Sequence, residues 1–149
     1  MSIEVKRAQT EAERAQCLAI RMAVFVHEQQ VPAELELDEY DGIATHLLLT
    51  EDTVPIATAR LVDKHGVAKI GRVAVAKDAR GRGLGLRIMQ AVLEEARGQG
   101  FAHAMLDSQS YAIPFYEKLG FVAEGGEFDD AGIPHRLMRR CLGDSVSVG

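Results

Sequence analysis

Residues 80–96 read RGRGLGLRIMQAVLEEA, an amphipathic helix opened by Gly81, Gly83 and Gly85 and flanked by Arg80, Arg82 and Arg87. A helix start leaves four backbone N–H groups without internal partners. The usual remedy is a Ser, Thr, Asp or Asn cap. Arg80, Gly81 and Arg82 offer no side-chain acceptor. The amides of about Gly81 to Leu86 therefore need an acceptor from outside, and an anion fits, drawn also by the helix dipole. Glycines keep Cβ atoms away from phosphate oxygens, and arginines add charge-assisted contacts. Two glycines inside the helix would cost about 2 kcal/mol in propensity, which a bound diphosphate would offset. The spacing is neither a Walker loop, since Gly85-Leu86-Arg87 lacks the Lys-Ser/Thr step, nor a dinucleotide fingerprint, since Leu86 or Ile88 stands where the last glycine belongs. What survives is Arg-x-x-Gly-x-Gly over Arg80 to Gly85, which a plain glycine-rich turn would also satisfy.

The elements that must position this turn follow from the periodicities. Strands are expected at 3–8, 44–50, 55–63, 67–76, 102–108, 121–128 and 133–142. A helix is expected from about 11 to the mid-20s, with Thr10 as N-cap, Glu13 completing a capping box, and Ala15, Leu18, Ala19, Met22 and Val26 as its apolar face. A second helix spans about 83–98, with Leu84, Ile88, Val92 and Ala96 inward and Gly98 and Gly100 ending it. A short third helix spans 113–120, ended by Gly120. Residues 30–42 form a polar loop with room for a helical turn, long enough to be a lid, and 129–132 turn the last hairpin. The order β-α-β-β-β-α-β-α-β-β predicts one α/β (α+β) domain over 1–149, with a mixed, largely antiparallel sheet flanked by helices and a frayed tail at 143–149.

The 149 residues carry a net charge of −5, which argues against general nucleic-acid binding. No run approaches the ~18 apolar residues of a membrane span, and the N-terminus lacks the apolar core of a signal peptide, so the expected location is cytoplasmic. Cys17 and Cys141 are too few for a disulfide framework and are expected to be free thiols. Lys64, Lys69, Arg72, Lys77, Arg80, Arg82 and Arg87 face a single acid, Asp78, over 64–87, whereas 28–41 holds Glu28, Glu34, Glu36, Asp38, Glu39 and Asp41 with no Lys or Arg. A basic pole for a small polyanion, and an acidic pole to steer a cationic amine, are the corresponding expectations. In HEQQV (27–31), Val31 stands where a zinc helix needs its second His, and no metal is expected.

KIGRVAVAKDARGRGLGLRIM, followed about twenty residues later by YAIPFYEKLGFVAEG, resembles the GNAT superfamily of N-acetyltransferases. The start (RMAVFVHEQQVPAELELDEYDGIATH) and the end (GIPHRLM) are similar to its ElaA-like branch. The resemblance covers nearly the whole chain and implies acetyl-CoA as cosubstrate and a primary amine as acceptor. It implies that Val73, Ala74 and Val75 offer backbone groups to the pantetheine arm and that Arg80, Gly81, Arg82, Gly83, Leu84, Gly85 and Leu86 wrap the diphosphate. Gln109 stands where many members carry Asn, and Tyr116 falls on the tyrosine of Phe-Tyr-x-x-x-Gly-Phe, the usual general acid.

The chemistry asks for a neutral amine, a donor for the oxyanion and a proton for the departing thiolate. A tyrosine is protonated at neutral pH and suits the last role; a core tyrosine with a tied-down hydroxyl is the competing reading. Where some members carry a Glu base, this chain has Lys69. His27, Glu28, His46, Asp107 and His135 are the remaining candidates, with Glu28 and His135 favoured as substrate contacts. A non-catalytic acyl-CoA-binding module and an ATP-binding protein are the alternatives. An edge strand free to pair leaves a homodimer open.

Overall fold

A computed structural model describes residues 2–143; the expected tail beyond them lies outside the described residues. Seven strands form one sheet in the order β1-β2-β3-β4-β5-β7-β6. They are β1 (Ile3–Arg7), β2 (Thr45–Glu51), β3 (Val54–Lys64), β4 (Val67–Val75), β5 (His103–Gln109), β6 (Val122–Asp130) and β7 (Ile133–Cys141). Neighbours run antiparallel except β4 and β5. The helices are α1 (Glu11–Arg21), α2 (Ala33–Glu36), α3 (Leu84–Gly98) and α4 (Ile113–Glu117). The expected order and mixed sheet are therefore present, with the short α2 as the helical turn inside the expected loop.

Three hairpins are tight because their turns adopt left-handed backbone at both central residues, which matches the twist of the strands. These pairs are Asp52–Thr53, His65–Gly66 and Ala131–Gly132. The last places the turn two residues later than expected, so β6 runs on to Asp130.

The larger core lies between the sheet and α3. Leu84, Ile88, Met89, Val92, Leu93 and Ala96 of α3 pack on Leu47, Leu49, Ala59, Leu61, Ile70 and Leu106. The expected inward face is thus present, and Gly100, at φ 91°, receives the chain as the helix ends. The opposite face carries a smaller core of Ala8, Cys17, Ile20, Val24, Leu48 and Ala74 beneath α1.

Helix α1 starts as expected. Thr10 Oγ1 accepts from the Glu13 amide at 3.0 Å, and Glu13 Oε1 accepts from the Thr10 amide at 3.1 Å. Its buried face differs from expectation. Cys17, Ile20, Arg21 and Val24 point inward, while Ala15 and Ala19 are exposed. A buried arginine reads as polar in a hydropathy pattern, which shifted the apparent stripe. From Met22 to Glu28 the helix continues as a π-helix, a widening with no hydropathy signature and one found frequently at functional sites. No helix among the described residues is long and apolar enough to cross a membrane. Cys17 is buried and Cys141 exposed, both free; burial pushes the Cys17 thiol up, away from nucleophile chemistry.

Candidate active site

The site begins with a fault in β4. Arg72 and Val73 together face the single residue Ala59 of β3, a bulge that puts Arg72 in left-handed backbone at φ 50°. Beyond it β4 parts from β5. The two strands pair only at Ala68↔Ala104 and Lys69↔Met105, whereas β5 stays with β7 along its whole length. The resulting gap opens into a cavity of about 840 Å³. One wall is β4 from Lys69 to Val75, the other Leu106, Asp107 and Gln109 of β5, and Phe115 and Tyr116 of α4 line it as well.

At one end of this cavity lies the glycine turn. Gly81 and Gly83 have φ 81° and 77°, which only glycine adopts without strain. Gly83 is the N-cap of α3 with no side-chain cap, so the helix starts at Leu84. Of the turn's glycines only Gly85 is inside the helix, and the propensity cost falls to about 1 kcal/mol. A Cβ at Gly85 would meet Phe115 Cζ at 3.7 Å and Val75 Cγ2 at 3.8 Å, ordinary contacts. The protein does not need a glycine there. The first α3-start bond runs from the Arg87 amide to the Gly83 carbonyl at 3.1 Å, and among the described residues the amides of Gly81 to Leu86 have no acceptor.

Of the residues singled out in the sequence, Val73, Ala74, Val75, Arg80, Gly81, Gly83, Leu84, Gly85, Leu86, Gln109, Tyr116 and His135 all line the one cavity. Arg82 and Glu28 do not. Arg82 makes a two-pronged ion pair with Glu51. Glu28 holds Arg80 through both carboxylate oxygens, at 2.7 and 2.8 Å, and that hydrogen bond draws the carboxyl below its ordinary range. Arg80 also donates to the Val75 carbonyl at 3.1 Å, tying the turn to the end of β4. Gln109 donates to Gln29 Oε1 at 2.7 Å.

Tyr116 is partly buried against Phe115 and Phe121, edge to face at centroid distances of 5.0 and 6.1 Å. Among the described residues its hydroxyl has no hydrogen-bond partner, so no protein group ties it down. Burial, with the nearby Tyr111, pushes its pKa up to about 12. His135 on β7 is 8% exposed and stacks on Phe128 at 5.9 Å. Its Nδ1 lies 2.7 Å from the Ile133 carbonyl. A carbonyl only accepts, so Nδ1 carries the proton and Nε2 of the neutral ring is left as an acceptor. Of the other base candidates, His46 is buried against the Asp41 carbonyl, His27 lies outside the cavity, and Asp107 is paired to Lys69 at 2.9 Å.

The acidic stretch is not a free steering surface. Glu36, 3% exposed, pairs with Arg21 at 2.8 Å and Arg72 at 3.1 Å. Asp41 pairs with Arg21 at 2.7 Å and Arg60 at 3.2 Å, and Asp38 pairs with Arg60 and Arg72. Burial would raise the Asp41 carboxyl, but the Arg21 hydrogen bond and the Arg60 charge outweigh it and carry it well below the usual range. Glu34 and Glu39 remain exposed; the rest of the negative charge is neutralised in place. The steering expectation is corrected accordingly: this segment is a wall, clamped by Arg21 of α1, Arg60 of β3 and Arg72 of β4. Sequence reasoning missed the clamp, although Arg60 and Arg72 inside largely apolar strands were its visible signs.

The chain is similar to proteins that share this architecture. Residues 7–142 match the model of an acetyltransferase (GNAT) domain. The Bacillus subtilis protein named uncharacterized N-acetyltransferase YjcF is 37% identical over 134 residues, 89% of this chain and 96% of that protein. Among solved structures, an acyl-CoA N-acyltransferase from Pseudomonas aeruginosa is 33% identical with a TM-score of 0.84, covering 93% of this chain and 98% of that one. Escherichia coli ElaA is 28% identical with a TM-score of 0.84, covering 93% and 99%. With the split between β4 and β5, the open amides before α3 and a family match over nearly its whole length, this chain belongs to the GNAT acetyltransferase family.

Proposed function

We propose that this protein transfers the acetyl group of acetyl-CoA to a primary amine of a small molecule or peptide by direct attack on the thioester, in the cytoplasm. The observation that carries the reading is the continuity of one cavity from the open amides of Gly81 to Leu86, along the unpaired side of β4, to Tyr116 and His135. Its residues fit the cosubstrate. The six amides and Arg80 take the diphosphate. Val73, Ala74 and Val75 present backbone groups to the pantetheine arm, and Gln109 faces them across the gap.

The amine nitrogen attacks the thioester carbonyl carbon and forms a tetrahedral oxyanion, for which backbone N–H at the β4 bulge is the donor in reach of the gap. The C–S bond then breaks. The departing thiolate takes its proton from the Tyr116 hydroxyl, which like any tyrosine is protonated at neutral pH, with burial lifting its pKa further, to about 12. The amine proton leaves toward His135 Nε2, the free acceptor of a ring fixed by Ile133.

The test is acetyl-CoA turnover against a panel of small amines, polyamines, amino sugars and peptides, with wild type and Tyr116→Phe. The expected result is turnover with at least one acceptor class, with kcat falling about 10²-fold or more in Tyr116→Phe and acetyl-CoA affinity within about twofold of wild type. Acetyl-CoA binding with no turnover on any acceptor would favour a non-catalytic acyl-CoA-binding module. Absence of acetyl-CoA binding would overturn the reading.

A further inference from the structure

A second concavity, of about 760 Å³, lies along α3 and reaches Val5 of β1 and Arg140 of β7. It shares no residue with the first. Arg87, Gln90, Glu94 and Arg97 reach it from one face of α3, at helical spacing. Lys118 comes from the end of α4 and Arg140 from β7. Four cations thus face one carboxylate, in a chain whose net charge is −5.

These cations differ from the arginines of the active-site wall, each of which holds a carboxylate. Among the described residues Arg87, Arg97, Lys118 and Arg140 have no ion-pair partner. Arg97 and Arg140 are partly buried in the floor, and Arg87 and Lys118 stand exposed at the rim. Among the described residues the buried Arg97 Nε has no hydrogen-bond partner. A buried donor left unsatisfied is costly and rare, and asks for a water, ion or ligand nearby. Arg140 is held over Gly120, where a Cβ would meet its Nε at 3.1 Å. The left-handed glycine that ends the α4 turn, at φ 91°, therefore also makes room for the guanidinium. Unpaired like charges brought together in a concave, partly apolar site repel one another unless an anion joins them, and such a site focuses the field on an incoming anion.

We propose that this cavity is a second anion site, separate from the diphosphate turn, for a small molecule that carries two or more negative charges on phosphates or clustered carboxylates. The arginine pair Arg97 and Arg140 supplies the directed hydrogen bonds, and Arg87 and Lys118 close the charge around it.

Isothermal titration of the full chain, pre-saturated with acetyl-CoA so that the first anion site is filled, tests this with inorganic pyrophosphate and with citrate at constant ionic strength. Binding is expected for pyrophosphate, weakened about tenfold or more in Arg97→Gln and in Arg140→Gln, and tightened in Glu94→Gln, an exposed change that leaves the fold alone. Citrate binding as well would show that charge suffices; pyrophosphate alone would show a phosphate site. The proposal fails if neither ion binds the saturated protein, or if Glu94→Gln leaves affinity unchanged. It also fails if Arg97→Gln and Arg140→Gln weaken acetyl-CoA instead, which would make the cavity the outer end of the cosubstrate site. The acetyl-CoA titration that precedes the experiment tests the proposed function on its own.

Discussion

Replacing Glu28 by Gln should tighten acetyl-CoA binding. Arg80 is the arginine of the diphosphate turn that lines the cavity, and Glu28 occupies both of its terminal nitrogens. A diphosphate that recruits Arg80 must displace or share that carboxylate. The pair is partly exposed, with 43% of the arginine and 27% of the glutamate side chain open to solvent. An exposed pair of this kind is worth about 0.2–1 kcal/mol, so freeing Arg80 should lower the acetyl-CoA Kd by roughly 1.4- to 5-fold. Arg80→Gln should act in the opposite direction. It removes hydrogen bonds between a charged group and the diphosphate, worth about 1.5–3 kcal/mol, and should raise Kd about 10-fold or more. Calorimetric titration at low salt and again at about 0.3 M salt reads both effects, and the Glu28→Gln gain should shrink as screening increases. An unchanged or weaker Kd for Glu28→Gln at low salt would refute the reasoning. A rise in amine KM with Kd unchanged would return Glu28 to the role of substrate contact expected from the sequence.

Gly83→Ala should lose about 1–2 kcal/mol of stability, because an L side chain is strained at φ 77°, and urea unfolding measures this. Gly85→Ala should instead gain about 0.5–1 kcal/mol through helix propensity, yet weaken acetyl-CoA. Wild-type affinity in that variant would mean the glycine does not serve the ligand. Arg21→Met leaves Glu36 and Asp41 short of their buried partner, and should cost about 3–5 kcal/mol in the same unfolding experiment. A loss within about 0.5 kcal/mol, ordinary for surface changes, would show that the clamp is idle. Glu13 is held at about 2, against an ordinary 4.5, first by Lys6 and then by the Gln9 and Thr10 amides. Its folded-state pKa is depressed, so its contribution is complete above pH 4.5 and is lost as pH falls toward 2. Thermal melts from pH 6 to 2 should therefore fall less steeply for Glu13→Gln than for wild type; parallel curves would contradict this.

Much of the frame was legible because it rests on local chemistry. Thr10 and Glu13 announce a capping box, and Leu84, Ile88, Val92 and Ala96 announce a helix face. Gly100 and Gly120 mark the left-handed ends of their turns. The uncapped glycine turn before α3 was legible for the same reason, since missing cap acceptors are a sequence property. Three features were not. The π-helix changes hydrogen-bond register without changing composition. The bulge at Arg72 depends on how β3 and β4 pair, which no single strand encodes. The burial of Arg21, Arg60 and Arg72 depends on carboxylates 15 to 36 residues away in the chain. Charge counted along the sequence therefore suggested two opposed poles, whereas in three dimensions most of those charges cancel one another. The pocket wall is built from the pairs.

The amide resonances of Gly81, Arg82, Gly83, Leu84, Gly85 and Leu86, followed by 15N NMR during an acetyl-CoA titration, test the central claim most directly. Saturable downfield shifts confined to these amides and to β4 from Val73 to Val75, together with slowed hydrogen exchange, are the predicted result. Binding that leaves those amides unmoved would contradict the account.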